Sequence, residues 1–239
     1  MISVIIPLYN KAHTIVNTLN TVFHQTYQDF EVVIVNDGST DNGVEVIRQN
    51  FNDSRIRIIN QRNSGVSVAR NRGVEAAKGD WIAFLDADDE WLPEYLNTLI
   101  STLSYYPNAE MIGCSSYYKD SISGNVSANA LIDKYYEKCV NINYFMNPDK
   151  MTHIGATIIL KSAFLQVGGF DTKLINNEDL LLLGLIAIHG NFIYIGQCLH
   201  VYVGNVVGQS TRDYSKRSLR ISNSIKVLNR FYNAYDQYG

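Results

Sequence analysis

Trp81-Ile82-Ala83-Phe84-Leu85-Asp86-Ala87-Asp88-Asp89 is the stretch that decides how this chain folds. A run of bulky apolar residues belongs to a strand buried on both faces. It ends abruptly in carboxylates, which must face a cleft, a cation or water, because an unpaired buried charge is costly. In an extended chain, residues i and i+2 point the same way, so Asp86 and Asp88 can converge on one ligand. Hard oxygen donors in that arrangement suit Mg²⁺ or Mn²⁺, especially an ion also held by phosphates. An acidic turn after a strand is the plain alternative.

Outward from this stretch, the first half alternates strand-like and helix-like segments. Residues 3–7, 31–36, 56–59 and 81–85 read as strands, with a fifth over 109–115. Ala12, Ile15, Val16, Leu19, Val22 and Phe23 fall on one helical face. Asp41 is placed to cap a helix through Val44 and Ile47. Val66, Ala69, Gly73, Ala76 and Ala77 mark a third helix, which Gly79 would end. Residues 93–103 make another, with Pro93 near its first turn. This order predicts an α/β fold, a Rossmann-like, mostly parallel sheet with helices on both faces. Ligands of such sheets bind beyond the carboxyl ends of the strands. Tyr9-Asn10, Asn36-Asp37-Gly38-Ser39 and Asp86-Ala87-Asp88 all fall at those ends.

The second half is less regular. Residues 116–129 read as a loop or weak hairpin and 130–150 as mixed helix and loop. Residues 157–160 read as a strand, followed by a short helix to Val167 and a turn at Gly168-Gly169-Phe170-Asp171. Residues 179–189 are apolar on nearly all sides and read as a buried helix, 191–195 as a strand. Ile221, Ile225, Leu228 and Phe231 line one side of a helix expected over 219–232.

Composition excludes several classes. With 20 basic and 23 acidic residues and a net charge of −3, the chain is not built to coat nucleic acid. Cys114, Cys139 and Cys198 are odd in number and widely spaced, which argues against a disulfide framework or a zinc site and fits a reducing compartment. Residues 1–7 lack the basic leader of a signal peptide, and the apolar run at 180–188 is too short to cross a bilayer. A soluble, cytoplasmic protein is the expectation. The 16 tyrosines suit both packing and ligand contact.

Neither GxGxxG nor GxxxxGK[ST] follows the first strand, so a dinucleotide dehydrogenase or P-loop enzyme is not expected. The strand ends are Asp-rich instead. Asp37 can accept the ring N–H of a pyrimidine, and Asp86 with Asp88 can hold a metal that in turn holds a diphosphate.

In these segments the chain resembles the family 2 glycosyltransferases, which have the GT-A fold. Residues 3–10 (Ser-Val-Ile-Ile-Pro-Leu-Tyr-Asn) are similar to the family's opening motif, 35–41 (Val-Asn-Asp-Gly-Ser-Thr-Asp) to its second and 63–71 (Asn-Ser-Gly-Val-Ser-Val-Ala-Arg-Asn) to its third. Asp86-Ala87-Asp88 matches the DxD motif, and Gly168-Gly169-Phe170-Asp171 followed by Glu178-Asp179 matches the acceptor-side signature. The motifs run in register from about residue 2 to 195.

The resemblance implies an inverting, non-processive enzyme. It would move a sugar from a nucleotide donor, a UDP-sugar first of all, to a glycan or lipid-linked glycan in polysaccharide biosynthesis. It implies that Pro7 and Tyr9 cradle uracil while Asp37 accepts its N–H; a turn aspartate capping its own loop is the alternative. Arg70 would reach the base or diphosphate, unless it is a surface arginine. Asp86 would touch the ribose and share the Mn²⁺ or Mg²⁺ cofactor that Asp88 coordinates; Asp89 could instead cap the following helix. Asp179, with Glu178 beside it, would be the general base; capping a helix is the alternative for both. On this resemblance residues 1–116 would form the nucleotide-sugar half and 117–239 the acceptor half of one compact domain. Lys216, Arg217, Arg220 and Lys226 offer either a solvated face or a peripheral contact with the inner membrane face, the solvated face being the first reading.

The chain also departs from the family. Leu180, Leu181 and Leu185 stand where it usually has tryptophan, an acid and an arginine, and Tyr202-Val203-Gly204-Asn205 replaces Tyr-Arg-x-His. His200, Gln209 and Arg212 are candidate substitutes. No Gln-x-x-Arg-Trp occurs, which argues against a processive synthase. The departures favour one competing reading, a non-catalytic nucleotide-sugar binding protein. A nucleotidyltransferase would need a basic Gly-rich loop after the first strand, which Pro7-Leu8-Tyr9-Asn10 is not.

Overall fold

The computed structural model describes residues 1–128, 139–141, 152–206, 226–231 and 233–234. Four strands, β1 (Ile2–Leu8), β2 (Phe30–Asp37), β3 (Ile56–Gln61) and β4 (Trp81–Phe84), alternate with α1 (Ile15–Phe23), α2 (Gly43–Asn50) and α3 (Val66–Ala76). They pair in parallel in the order β3-β2-β1-β4. Side chains on β1 alternate between two cores. Ile2, Val4, Ile6 and Leu8 pack with α1 and α2, whereas Ile5 joins Val33, Val35, Ala69 and Phe84 on the α3 side. Burial on both faces is why β1, β2 and β4 read as apolar runs, whereas β3 at the edge is only partly buried.

Beyond β4 the sheet departs from the parallel pattern. A short β5 (Glu90–Trp91) precedes α4 (Tyr95–Ser101), and β6 (Met111–Asp120) forms a hairpin with β7 (Val126–Ala128). Then β9 (Thr157–Leu160) inserts between β4 and β6, antiparallel to both. The chain re-enters the sheet from the rim where the parallel strands end, so β9 must run the opposite way. Its N-terminal end, including the 3-10 turn Ile154–Ala156, therefore lies at that rim. After α5 (Lys161–Gln166) and α6 (Glu178–His189), β10 (Phe192–Gly204) runs parallel to β6 and antiparallel to β5.

Several elements differ from the sequence reading. The strand expected over 191–195 continues to Gly204, because β6 offers a partner along that length, with irregularities between Ile195 and His200. Residues 139–141 form β8, a strand on β10, where helix and loop were expected; the rest of 130–150 lies outside the described residues. Gly79 does not cap α3, which ends at Ala77 in an extended conformation. It is needed for close approach instead: a Cβ there would lie 2.7 Å from the Met1 carbonyl oxygen. Asn42, not Asp41, is the residue before α2, but Asp41 Oδ1 accepts from the Gly43 N–H at 3.1 Å. Pro93 lies ahead of α4, which passes into a 3-10 turn at Thr102–Ser104. Of the last helix, residues 226–231 and 233–234 are helical; Val227 packs on Leu181 and Leu185 whereas Leu228 faces solvent. Ile221 and Ile225 lie outside the described residues. Cys114 and Cys198 are free thiols. Among the described residues, no helix is long and apolar enough to cross a membrane.

Candidate active site

Arg70 is the centre of the site. It lies on the inner face of α3 with its side chain 4% exposed, not at the surface. Its Nη2 donates to Asp86 Oδ1 at 2.7 Å and its Nη1 to Glu178 Oε1 at 3.2 Å. The guanidinium also lies over the Phe170 ring, 5.2 Å from its centroid. Burial opposes its charge, but Asp86 and then Glu178 outweigh that and hold it above its ordinary range. Asp86 follows β4 and Glu178 opens α6, so one cation fastens a strand end to a helix start.

The next residue completes the clasp. Asn71 Nδ2 donates to the Phe170 carbonyl and its Oδ1 accepts the Phe170 N–H, both at 2.9 Å. The third motif therefore holds the Gly168-Gly169-Phe170 turn in place. This turn leads into the Glu178-Asp179 pair. Burial, then Asp179, raises the Glu178 pKa against the pull of Arg70. Asp179 Oδ1 accepts the Leu180 N–H at 2.7 Å. Both acids sit in the first turn of α6, where the helix dipole favours negative charge.

Asp88 Oδ2 pairs with Lys11 Nζ at 2.6 Å. Burial and then Asp86 raise the Asp88 pKa, while Lys11 opposes them. Asp86, Asp88, Glu178 and Asp179 thus outnumber Arg70 and Lys11, so an incoming anionic ligand needs further positive charge. Among the described residues no three His, Cys, Asp or Glu side chains form a ready cation cage. Two carboxylates are nonetheless the usual protein share for Mg²⁺, with substrate phosphates and water supplying the rest. Asp86 and Asp88 each give one oxygen to a chain cation and keep acceptor capacity on a two-oxygen group. The donor set fits such an ion.

Asp37 ends β2 and is buried. Its Oδ1 accepts from Gln61 Nε2 and the Ser64 N–H at 2.7 and 2.8 Å, and its Oδ2 from the Gly65 N–H at 2.9 Å. It braces the loop into α3, with acceptor capacity left at Oδ2. Gly38 permits this turn: its φ is +71° and a Cβ would lie 2.7 Å from the Asn63 nitrogen. Pro7 lies in β1 beside Val35, and Tyr9 is 47% exposed just past the strand end.

Asp89 does not cap α4. It is buried, and its carboxylate accepts the Val203 N–H at 2.9 Å and lies 3.2 Å from His200 Nε2. His200 Nδ1 in turn meets Ser116 Oγ at 2.9 Å. Burial raises the Asp89 pKa while His200 lowers it. His200 is fully enclosed, so it ties β10 to the acidic loop and is no substitute for an acceptor-facing cation. Gln209 and Arg212 lie outside the described residues.

Sequence reasoning missed Lys11, the clasping role of Asn71, and His153. Asn71 stood within a quoted motif, and Lys11 follows one directly. His153 had no local signal, since only the reversed direction of β9 brings it to the rim. Its ring stacks on Tyr202 with centroids 5.4 Å apart and planes 6° off parallel. His153 is exposed, with Tyr202 covering one face of its ring. Desolvation, then His200, lowers its pKa, while Asp179, Asp89 and Asp86 pull the other way. Asp86, Asp88, Glu178, Asp179 and His153 thus share one electrostatic neighbourhood.

The model of the Glycosyl transferase family 2 matches residues 3–164. The chain belongs to that family, and its curled, mostly parallel sheet is the GT-A fold. Escherichia coli (strain K12) YibD, an uncharacterized glycosyltransferase, is 41% identical over 116 residues, 48% of this chain and 33% of that protein. Glycosyltransferase GlyA of Streptococcus pneumoniae is 30% identical over 211 residues, 84% of this chain and 30% of that one. The chain therefore spans about a third of the length of these curated relatives. Among solved structures, S. aureus TarS 1-349 in complex with UDP-GlcNAc superposes with a TM-score of 0.73 at 19% identity, covering 89% of this chain and 61% of that one.

Proposed function

We propose that the chain binds a nucleotide-sugar donor, UDP-linked first of all, and transfers its sugar with inversion to a hydroxyl of a glycan or lipid-linked glycan. The arrangement that carries this reading is the Arg70 bridge, which holds Asp86 of the DxD segment beside Glu178 and Asp179. The UDP and UDP-GlcNAc complexes of the fold neighbour TarS support a uridine donor.

In this reading Tyr9 and Pro7 line the base, and Asp37 accepts its ring N–H at the remaining Oδ2 position. Asp86 reaches the ribose, and Asp86 with Asp88 holds Mn²⁺ or Mg²⁺. When bound, that ion offsets negative charge on the departing diphosphate. Asp179 takes the proton of the acceptor hydroxyl while that oxygen attacks the anomeric carbon from the face opposite the leaving group. The sugar–phosphate bond breaks, its electron pair leaves with the nucleoside diphosphate, and the anomeric centre inverts. Glu178, paired with Arg70, positions the start of α6.

The test is a panel of nucleotide sugars, read by thermal shift and by release of nucleoside diphosphate, each with and without Mn²⁺. A donor that raises the melting temperature and is turned over in the presence of acceptor supports the reading. Binding without turnover for every acceptor tried favours a non-catalytic binding protein, and no binding of any nucleotide sugar removes both.

A further inference from the structure

The loop that carries Asp88 is fastened to the start of α1. Thr14 Oγ1 donates to the Ala87 carbonyl at 2.8 Å and Thr18 Oγ1 to the Asp89 carbonyl at 2.9 Å. Lys11 lies just ahead of these threonines. Its side chain is 12% exposed and that of Asp88 10%. A surface lysine keeps its rotamers free; this one is held at the acidic loop by the segment around it. A hollow of about 430 Å³, within the range of small-ligand clefts, opens beside the pair and is lined by His13, Thr14, Asp88, Lys119 and Asn205, among others.

Any group that Asp88 draws in therefore arrives within reach of the Lys11 ammonium. The neighbouring buried cation, Arg70, is shared between Asp86 and Glu178. The segment Val203-Gly204-Asn205 contributes no positive side chain. An ammonium has three donors, so it can gain a phosphate oxygen without fully leaving Asp88.

We infer that Lys11 is a protein-borne cation of the donor's diphosphate site. It pairs with Asp88 while the cleft holds no donor and turns to the diphosphate on binding, which leaves the Asp88 oxygens to a divalent ion. The inference rests on the nucleotide-donor reading above and involves only exchange of ionic partners.

Calorimetric titration of UDP tests it, in EDTA and in Mn²⁺, with the wild-type chain, Lys11→Met and Asp88→Asn. In EDTA, Lys11→Met should lose UDP affinity by roughly 10–100-fold, the usual worth of a hydrogen bond to a charged group. Asp88→Asn removes the charge that Lys11 pairs with but keeps Lys11, so its UDP affinity in EDTA should hold or rise. Mn²⁺ alone, followed by electron paramagnetic resonance, should bind Lys11→Met at least as tightly as wild type. Equal UDP affinity of Lys11→Met and wild type in EDTA overturns the role of Lys11 alone. So does wild-type binding that appears only with Mn²⁺, or a loss of UDP affinity in EDTA of about tenfold or more for Asp88→Asn. Weaker Mn²⁺ binding by Lys11→Met overturns the exchange of partners. A wild-type chain that binds no UDP in either buffer overturns the uridine-donor reading and this inference together. If Lys11→Met does not fold, Asp88→Asn and the wild-type comparison still decide.

Discussion

Arg70 and Glu178 stand 108 positions apart in the chain and meet at 3.2 Å. The same guanidinium holds Asp86 at 2.7 Å. One buried positive charge therefore sets the spacing between the acidic end of β4 and the acidic start of α6. Both carboxylates depend on it, and neither has been placed there by a neighbour in sequence.

Arg70→Met removes the shared cation and leaves Glu178 and Asp86 facing each other. Breaking a buried pair costs about 3–5 kcal/mol. Asp86 is 37% exposed and can recruit water, so the expected loss lies near the lower end, roughly 3 kcal/mol. Urea unfolding measures it. Arg70→Lys restores charge but not the two-pronged geometry and should fall between. A midpoint for Arg70→Met equal to wild type would show that the bridge contributes no net stability.

Asp179→Asn keeps the size of the side chain and its bond to the Leu180 N–H, but cannot take a proton. Donor affinity should stay within a few-fold, while sugar transfer slows by about 10²–10⁴, the usual contribution of a general base. Steady-state kinetics with a turned-over donor, alongside direct donor binding, separate the two effects. Transfer at the wild-type rate removes Asp179 from the chemistry.

Asn71→Ala leaves the Phe170 N–H and carbonyl without their side-chain partners. The expected loss is about 1–3 kcal/mol for each polar group left unsatisfied by water. The sharper readout is hydrogen exchange: the Phe170 amide should lose protection while amides of β1 and β2 keep theirs. Unchanged protection at Phe170 means that other contacts hold the turn.

His153 has a lowered pKa, so between that value and the ordinary histidine value of about 6.5 the unfolded chain binds more protons than the folded one. Stability contributed at this position is present above about pH 6.5 and is lost as pH falls through the folded-state value. His153→Gln should therefore flatten the fall in unfolding free energy below pH 6.5. Parallel stability curves for variant and wild type across that range would remove His153 as a source of the acid sensitivity.

The parallel half of the fold could be read from the chain because β1, β2 and β4 are short apolar runs and α1 and α2 are amphipathic. Local pattern and tertiary arrangement agree there. The DxD loop was legible for the same reason: Asp86 and Asp88 follow a buried run with nowhere else to face. Arg70 was legible as part of a motif but not as a bridge, since its partners lie on distant segments. β9 was legible as a strand over 157–160, but its direction, and with it the place of His153, was not. The direction of a four-residue strand depends on where the chain re-enters the sheet, and no spacing within Thr157–Leu160 records that. His200 misled in the opposite sense. A histidine near an expected polar loop invites a chemical role, but the extension of β10 carries it into the interior against Asp89.

The clasp formed by Arg70 and Asn71 bears on how such enzymes diversify. Adjacent residues on α3 hold the Gly-Gly-Phe turn and the opening of α6. A chimera that joins this N-terminal portion to a foreign C-terminal portion has to inherit that socket as well as the new specificity. Recombination between relatives should succeed when the α3 segment and the segment from Gly168 to Asp179 travel from the same parent, and fail when they come from different ones.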